Sequence, residues 1–475
     1  MVFEFRPKGS FASYVLAVCV LSGCVLLARQ VLFNFIVFSL SDSRAPVSTG
    51  ALETATGYFP SSARLNARLA EAAISDPVRD LGLASREIDR ATRLSPNDYR
   101  LRVVLASIKE SQQDLMGAEK ALRDAAALAP SNIEVRWRLA NLLLRAGRIT
   151  DSVVEFRAAV TGDESLMPMT LDLLWRVTGG DLPSLKAATP ASPASNMALA
   201  SFLLKQGEAV EAARVFEGID RGVRVAAASS SDFINRLMSI GELRQARLLW
   251  ISTVGSGSGS GSGSVEGGAG APLVWNGGFE SDPIPGLAQF DWNLTDSNYA
   301  AIGFDDRTSH EGRRSLRVDF KGKDTTRLDG EIKQRLVVQA GRHYRIEYYV
   351  KSRNLVTTEG PRVALGWDGD PGWRPAGNSI SAGTEDWRKM ELEFIAPGKG
   401  EVTASSARLA KGRDKNAAGR PGRVGGERAR AEWQGAGEAT AVTVKLIRIP
   451  KYSYDEPMRG TLWLDDFRIS EIGRE

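Results

Sequence analysis

Hydrophobic residues recur with two different periods along this chain of 475 residues. From residue 61 to residue 254 they follow the 3.6-residue spacing of amphipathic helices, whereas after Pro272 they alternate with polar residues as in strands. A Gly-Ser alternation separates the two regions and predicts a flexible linker over residues 255–271, across which the C-terminal part samples its surroundings. The pattern predicts a multidomain α + β protein in which a helical part precedes an antiparallel β-sandwich.

Residues 11–40 are apolar apart from an interruption at Arg29 and Gln30. Residues 11–40 are long enough to cross a bilayer as one helix, which needs about 20 residues. Arg6 and Lys8 precede this run and favour a cytoplasmic N-terminus over residues 1–10. We therefore expect a single-pass anchor in a bacterial inner membrane, a linker over residues 41–60, and the bulk of the chain on the periplasmic side.

One alternative remains for this anchor. The tetrapeptide LSGC resembles a bacterial lipobox, in which Cys24 would carry the lipid. The chain stays hydrophobic after Cys24, whereas a lipoprotein usually becomes polar there, so a chance match is favoured. Both interpretations place most of the protein outside the cytoplasm.

The helical region contains an internal repeat. Small and large apolar positions and a closing proline recur after 34 residues: Ala84, Ile88, Ala91, Leu94 and Pro96 match Ala118, Leu122, Ala125, Leu128 and Pro130. Small residues let paired helices approach closely, and the proline ends one unit. This pattern resembles tetratricopeptide repeats. The resemblance implies an α-solenoid over residues 61–254 whose groove binds a protein partner.

The repeat is interrupted once. Residues 177–196 do not keep the 34-residue period. Beyond them, residues 198–216 and 233–250 each predict a helix, a glycine turn at Gly207 or Gly241, and a second helix. The helical array is therefore expected to resume up to residue 254.

Six segments after Pro272 alternate apolar and polar residues as β-strands do. They are residues 315–320, 331–338, 344–351, 387–396, 441–449 and 461–469. Clusters of Gly, Asp and Pro separate them, which is typical of a sandwich.

Five motifs of this region occur in a recognisable order. They are VWNGGFE, HEGRRSLRVDF, QRLVVQAGRHYRIEYYVK, WRKMELEFIAP and GTLWLDDFRI. The ordered set resembles the carbohydrate-binding modules of families 4, 9, 16 and 22, which are jelly rolls. The resemblance implies a jelly roll over residues 272–475, with VWNGGFE as its first strand and GTLWLDDF as its last, side by side.

The resemblance also implies a structural calcium ion. Glu280 together with Asp465 or Asp466 would be its ligands, and Ca²⁺ prefers carboxylate and carbonyl oxygens. The alternative is that Asp465 and Asp466 end a strand and meet solvent or a basic neighbour. Both interpretations remain open at the level of sequence.

Carbohydrate-binding modules stack aromatic rings on sugars. Trp367 and Trp373 lie in the Gly- and Pro-rich segment GWDGDPGWRP, where tryptophan is less expected in a core, and Tyr349 and Trp433 are secondary candidates. For each loop tryptophan, packing at the rim of the domain is the alternative.

A basic Gly-, Ala- and Arg-rich insertion over residues 398–440 interrupts the β region. It lacks periodic apolar residues and is expected to be a disordered loop, with attraction of anionic polysaccharide or lipid headgroups as the alternative. Because this segment carries the excess behind the net charge of +4, the charge does not indicate a nucleic-acid partner.

The remaining sequence indicates no enzyme. It has only two cysteines and two histidines, and none of the common hydrolase, nucleotide or zinc-protease motifs. We therefore expect a non-catalytic, membrane-anchored adaptor in bacterial exopolysaccharide assembly or export, with a protein partner in the repeat groove and a polysaccharide on the jelly roll. Two alternatives are a pure protein scaffold whose jelly roll has lost sugar binding, and a hydrolase or lyase built on the jelly roll.

Overall fold

The structure, a computed structural model, describes residues 10–41, 48–75, 80–255, 272–370, 372–398, 438–452 and 457–473. The chain divides into two compact units, Met1–Ala191 and Ser192–Glu475. The first unit is helical, and the second contains both helices and a β-sandwich.

The first unit contains ten α-helices and a short 3-10 helix among its described residues. They are α1 (Ser10–Ser41), α2 (Thr49–Tyr58), α3 (Ala63–Ser75), α4 (Leu81–Leu94), α5 (Tyr99–Ser111), α6 (Leu115–Leu128), α7 (Ile133–Arg145), α8 (Ile149–Gly162), the 3-10 helix Glu164–Leu166, α9 (Met167–Thr178) and α10 (Leu182–Ala188).

Helix α1 contains the predicted membrane span. Its segment Tyr14–Phe35 has 22 residues with a mean hydropathy of 2.2, and none of its most apolar stretch is buried in the protein. Within the described part of the chain it is the one helix long and apolar enough to cross a bilayer.

The predicted linker over residues 41–60 is wrong in part, because it contains helix α2. The Ser48 hydroxyl accepts a hydrogen bond from the Ala51 N–H and caps this helix. Leu52, Ala55 and Phe59 share one face and are buried. The Phe59 ring packs 5.1 Å from that of Phe33 in α1, so apolar burial at helical spacing explains why this segment folds.

The 34-residue repeat of the sequence is also the repeat of the structure. Helices α4, α6 and α8 begin at Leu81, Leu115 and Ile149, and α5 and α7 begin at Tyr99 and Ile133, at that same interval. Aspartates cap two successive repeats in the same way: the Asp80 carboxylate accepts from the Leu83 N–H and that of Asp114 from the Gly117 N–H, both at 2.8 Å. The helix pairs therefore form the predicted tetratricopeptide-like solenoid.

The interruption of the repeat is visible at the end of this unit. Helix α9 ends at Thr178 and is followed by the left-handed cap residue Gly179 (φ 64°), and α10 has only seven residues.

The second unit opens with five more helices in its described part. They are α11 (Pro193–Lys205), α12 (Ala209–Glu217), α13 (Arg221–Ala226), α14 (Ala228–Ser239) and α15 (Leu243–Val254). Gly207 and Gly241 stand in the predicted turns with φ near +88° and +87°, a conformation that favours glycine. The two predicted helix–glycine–helix segments are therefore confirmed.

Nine strands follow among the described residues, all paired antiparallel. They are β1 (Asn293–Leu294), β2 (Ala300–Asp305), β3 (Ser315–Lys321), β4 (Ile332–Gln339), β5 (His343–Val356), β6 (Arg362–Gly366), β7 (Gly383–Ile395), β8 (Ala439–Ile447) and β9 (Arg459–Glu471). One sheet has the order β1-β4-β8-β6 and the other β2-β3-β9-β5-β7. An apolar core lies between them, so the predicted sandwich and its six predicted strands are confirmed. The basic insertion lies almost entirely outside the described residues.

The prediction that VWNGGFE forms the first strand is wrong. The segment turns instead of extending, because Asn276 and Phe279 have φ angles of +49° and +57°. It nevertheless lies beside the last strand, where the Phe467 N–H donates to the Gly277 carbonyl at 2.9 Å. A side chain at Gly277 would bring Cβ within 2.1 Å of the Phe467 oxygen, so this approach requires glycine.

Helix α15 packs directly against the sandwich. The Trp250 ring is buried 4.9 Å from that of Trp275 and 5.7 Å from that of Phe290. Arg247 donates to the carbonyls of Pro272 and Leu273, and its burial lowers the pKa of the guanidinium to about 10. The expectation that the sandwich samples its surroundings from a slack tether is therefore wrong. Most of the Gly-Ser segment lies outside the described residues.

Candidate functional sites

Trp367 and Trp373 share one pocket on the outer face of the four-stranded sheet. The pocket has a volume of about 250 Å³. Strands β6 and β8 form its floor, through Ala364, Gly366, Thr443 and Lys445, and acidic side chains stand at its edge. Both indoles are partly exposed, so each presents some of its surface.

Main-chain hydrogen bonds hold the loop that carries these tryptophans. The Asp370 N–H donates to the Trp367 carbonyl at 3.3 Å, and the Trp373 N–H donates to the Asp370 carbonyl at 3.1 Å. The Asp370 carboxylate accepts from the Gly372 N–H at 2.8 Å. The tight turn therefore places both indoles at one end of β6.

The two tryptophans differ in how they pack. The Trp373 ring contacts the sandwich core and lies edge-on to Phe394 at 6.2 Å. The Trp367 ring lies over Gly369, where a Cβ atom would stand 2.8 Å from the indole. Trp367 is thus the indole whose position depends on the loop, and Trp373 the one that ties the loop to the core.

The structure does not bring Tyr349 to this pocket. Tyr349 lies in β5 of the five-stranded sheet, and its ring stacks on that of His310 with centroids 3.6 Å apart. Trp433 lies outside the described residues. The predicted aromatic set is therefore divided, and only Trp367 and Trp373 form a common surface within the part of the chain that the structure describes.

The predicted metal residues Asp465 and Asp466 lie in the middle of β9 and not at a strand end. Both are buried. The Asp465 carboxylate accepts from the main-chain N–H of His310 at 2.7 Å and from that of Asp466 at 2.8 Å. Burial raises the pKa of Asp465 to about 7, and the neighbouring Asp466 charge acts in the same direction. Asp465 therefore fixes the loop over β9 with one oxygen, and its other oxygen bonds the main chain of β9 itself.

Glu280 holds the same loop from the other side. Its Oε1 accepts from the N–H groups of Arg313 and Arg314 at 2.7 and 3.2 Å. Gly312 (φ +67°) passes so close that a Cβ atom would stand 2.1 Å from Oε1. The VWNGGFE turn and the HEGRR loop are thus clamped together by one carboxylate.

A cluster of possible metal ligands lies where these segments meet. Ligand atoms of His310, Glu311 and Asp466 lie within 4.8 Å of one another, and His310 Nδ1 is 2.6 Å from an Asp466 oxygen. Glu280, Glu311 and Asp466 also line a cavity of about 230 Å³. Sequence reasoning missed His310 and Glu311, although both stand in the HEGRR motif.

The predicted calcium ligands fit this site in part. Glu280 and Asp466 reach the cavity with carboxylate oxygens, which suit a hard cation, whereas Asp465 has both oxygens engaged by the main chain. Glu280 and Asp466 would hold the ion, and its charge would offset the buried negative charge. Calcium itself stays a prediction.

The first unit has an open surface pocket between α5 and α7. It has a volume of about 390 Å³ and is lined by Ser107, Glu110, Ser111, Trp137, Arg138, Asn141 and Arg145. Arg138 donates to the Ser107 hydroxyl at 3.2 Å, and Arg145 pairs with Glu110. Consecutive repeats thus join their polar side chains across one groove.

No protein-family model matches the chain. No curated protein matches it either. Solved structures similar to it include a MamA protein, which is 12% identical over 33% of this chain and 87% of that chain, with a TM-score of 0.28. A thermophilic TPR protein of Thermus thermophilus is 24% identical over 28% and 70%, with a TM-score of 0.24. The pilF protein of Pseudomonas aeruginosa is 16% identical over 44% and 82%, with a TM-score of 0.24. At such scores, the repeat assignment rests on the 34-residue spacing of this chain's own helices.

Proposed function

We propose that this protein is a non-catalytic, membrane-anchored adaptor whose β-sandwich binds a glycan and whose solenoid binds a protein partner. The observation that supports glycan binding most directly is the shared pocket of Trp367 and Trp373. An indole offers a flat apolar surface with a polar edge, which suits the apolar face of a sugar ring. Polar and charged side chains around the pocket supply partners for hydroxyl groups.

The protein partner is proposed to bind between α5 and α7. Stacked helix pairs create extended concave surfaces that repeat proteins use for binding. The groove carries arginine, asparagine and serine side chains around the half-buried Trp137, and this mixture suits a peptide segment.

Helix α1 is proposed to anchor the protein in a bacterial inner membrane with the rest of the chain in the periplasm. The 22-residue apolar span and the preceding Arg6 and Lys8 support this orientation. Lipid attachment at Cys24 is the alternative anchor. A tethered protein that binds both a glycan and a protein suits exopolysaccharide assembly or export.

The glycan proposal is tested with the full-length protein in detergent and a panel of neutral and acidic polysaccharides. Trp367→Ala should lose binding that survives moderate salt, because it removes the stacking surface. Trp387→Ala is the matched control, since Trp387 lies beside His310 on the other sheet. Equal binding by wild type and Trp367→Ala would contradict the proposal.

A pure protein scaffold is the second candidate. The contact of Trp373 with the core and with Phe394 favours it, because a tryptophan that ties down a loop needs no ligand. Absence of binding to every polysaccharide in the panel would support this scaffold.

A further inference from the structure

We propose that the Trp367 pocket selects an acidic glycan, one whose sugars carry carboxylates, through Lys333 and Lys445. This inference rests on the proposed glycan binding and names the class of glycan. It is carried by an unusual pair of like charges on the sheet that forms the floor of the pocket.

Lys333 and Lys445 are direct cross-strand neighbours. Strands β4 and β8 pair with Lys333 opposite Lys445, so both side chains leave the same face of the sheet. Asn293 of β1 and Ala364 of β6 continue the row on either side. Both lysines are half-buried, and Lys445 lines the tryptophan pocket.

Two like charges directly opposite each other destabilise a sheet. In the part of the chain that the structure describes, no carboxylate lies within 4.0 Å of either ammonium group. Lys333 and Lys445 therefore have no ion-pair partner among the described residues.

The acidic residues around the pocket are already engaged. Asp368 pairs with Arg335 at 3.1 Å, and Asp329 pairs with Arg327 at 3.7 Å. Asp370 accepts from the Gly372 N–H. The carboxylates at the rim thus have partners of their own. Lys445 on the floor and Lys333 beside it on β4 remain available to a ligand.

A carboxylated sugar stacked on Trp367 would supply the missing negative charge. Half-buried ammonium groups are less screened by salt than fully exposed ones, so each contact retains strength at physiological salt. Charge-assisted hydrogen bonds to a carboxylate are also stronger than those between neutral groups. Stacking would then retain the sugar, and the lysine row would select its charge.

The test compares two polymers with the same backbone: polygalacturonate and its methyl ester, in which the carboxylates are capped. Full-length protein in detergent is titrated with each at about 0.15 M salt. The variants are Lys333→Met, Lys445→Met and Trp367→Ala. Lys323→Met is the matched control, because Lys323 is exposed in the loop after β3.

We expect wild type to bind polygalacturonate at least about tenfold more tightly than the ester. Lys333→Met and Lys445→Met should each lose about tenfold in affinity for polygalacturonate and leave ester binding unchanged. Lys323→Met should behave as wild type, and Trp367→Ala should lose both polymers.

Three results would overturn the inference. They are equal binding of the two polymers by wild type, undiminished polygalacturonate binding by both lysine variants, and binding of dextran sulfate that is as tight as polygalacturonate binding and insensitive to the lysine changes. In each of these cases, if Trp367→Ala still loses binding to the polymers, the proposal that this pocket binds a glycan stands. If Trp367→Ala binds every polymer as wild type does, the glycan proposal fails instead.

Discussion

The indole N–H of Trp250, in helix α15, donates a hydrogen bond of 2.7 Å to the carbonyl of Leu287 in the β region. A second link joins the Gln289 amide to the Ser231 hydroxyl of α14 at 2.7 Å. Together with the buried rings of Trp275 and Phe290, these contacts make α15 part of the sandwich's packing. The sandwich that carries the Trp367 pocket is therefore held at a defined position relative to α14 and α15.

Replacing Trp250 tests this attachment. Trp250→Ala should destabilise the second unit by about 3–5 kcal/mol through the cavity it leaves. Trp250→Phe should cost about 1–3 kcal/mol, because the buried Leu287 carbonyl loses its donor. Urea unfolding of the full-length protein, followed by tryptophan fluorescence, measures both. An unfolding midpoint unchanged in Trp250→Ala would show that the sandwich does not depend on α15.

Gly312 should not tolerate a side chain. Its φ of +67° and the 2.1 Å approach of a Cβ atom to Glu280 Oε1 predict that Gly312→Ala costs about 1–3 kcal/mol. Gly303→Ala is the matched control, since a Cβ atom there meets nothing within 4 Å and its φ is not positive. Thermal unfolding compares the two. Equal melting temperatures for Gly312→Ala and Gly303→Ala would contradict the conclusion that Glu280 clamps the two segments together at Gly312.

The buried Asp465 predicts a stability that falls as pH rises. Its pKa of about 7 in the folded protein exceeds the usual value near 4, so the native state binds more protons than the unfolded state between those values. The free energy of unfolding should therefore decrease from about pH 4 to pH 7, by at most about 4 kcal/mol. Asp291, whose pKa burial raises to about 6, acts in the same direction.

Urea unfolding at intervals across this pH range, in the presence of chelator, measures the effect. A free energy of unfolding that rises steadily toward pH 7 would show that Asp465 is ionised in the folded protein.

Calcium should oppose this loss if Glu280 and Asp466 hold the ion. Adding Ca²⁺ in place of chelator should raise the melting temperature at pH 8, because a cation that binds only the folded state stabilises it. Glu280→Gln should remove the calcium-dependent increase. An equal melting temperature with calcium and with chelator at pH 8 would exclude a calcium site.

Periodic features were predictable from sequence because many residues encode them. Ala84 and Ile88 have counterparts 34 residues later, at Ala118 and Leu122, and such spacing indicates helix pairs that pack in the same way. A long alternation of apolar and polar residues identifies strands such as β4 and β5. The structure confirms these elements, with bounds shifted by a few residues. Strand β6 was missed because five residues give too short an alternation.

Tertiary placement was not predictable in the same way. The left-handed conformations of Asn276 and Phe279 accompany their burial beside β9, so VWNGGFE, which the family resemblance placed in a strand, forms a turn. Trp250 fitted the repeat pattern, yet it packs on the sandwich. The meeting of Trp367 with Trp373 was suggested by their shared loop, whereas the placement of Lys445 beside them depends on strand register.

The measurement that tests the account most directly is the binding of full-length wild type, Trp367→Ala and Trp387→Ala to the same panel of polysaccharides at moderate salt. The account predicts that wild type and Trp387→Ala retain at least one polysaccharide and that Trp367→Ala loses it. Identical retention by all three, or no retention by wild type, would contradict a glycan site at this pocket.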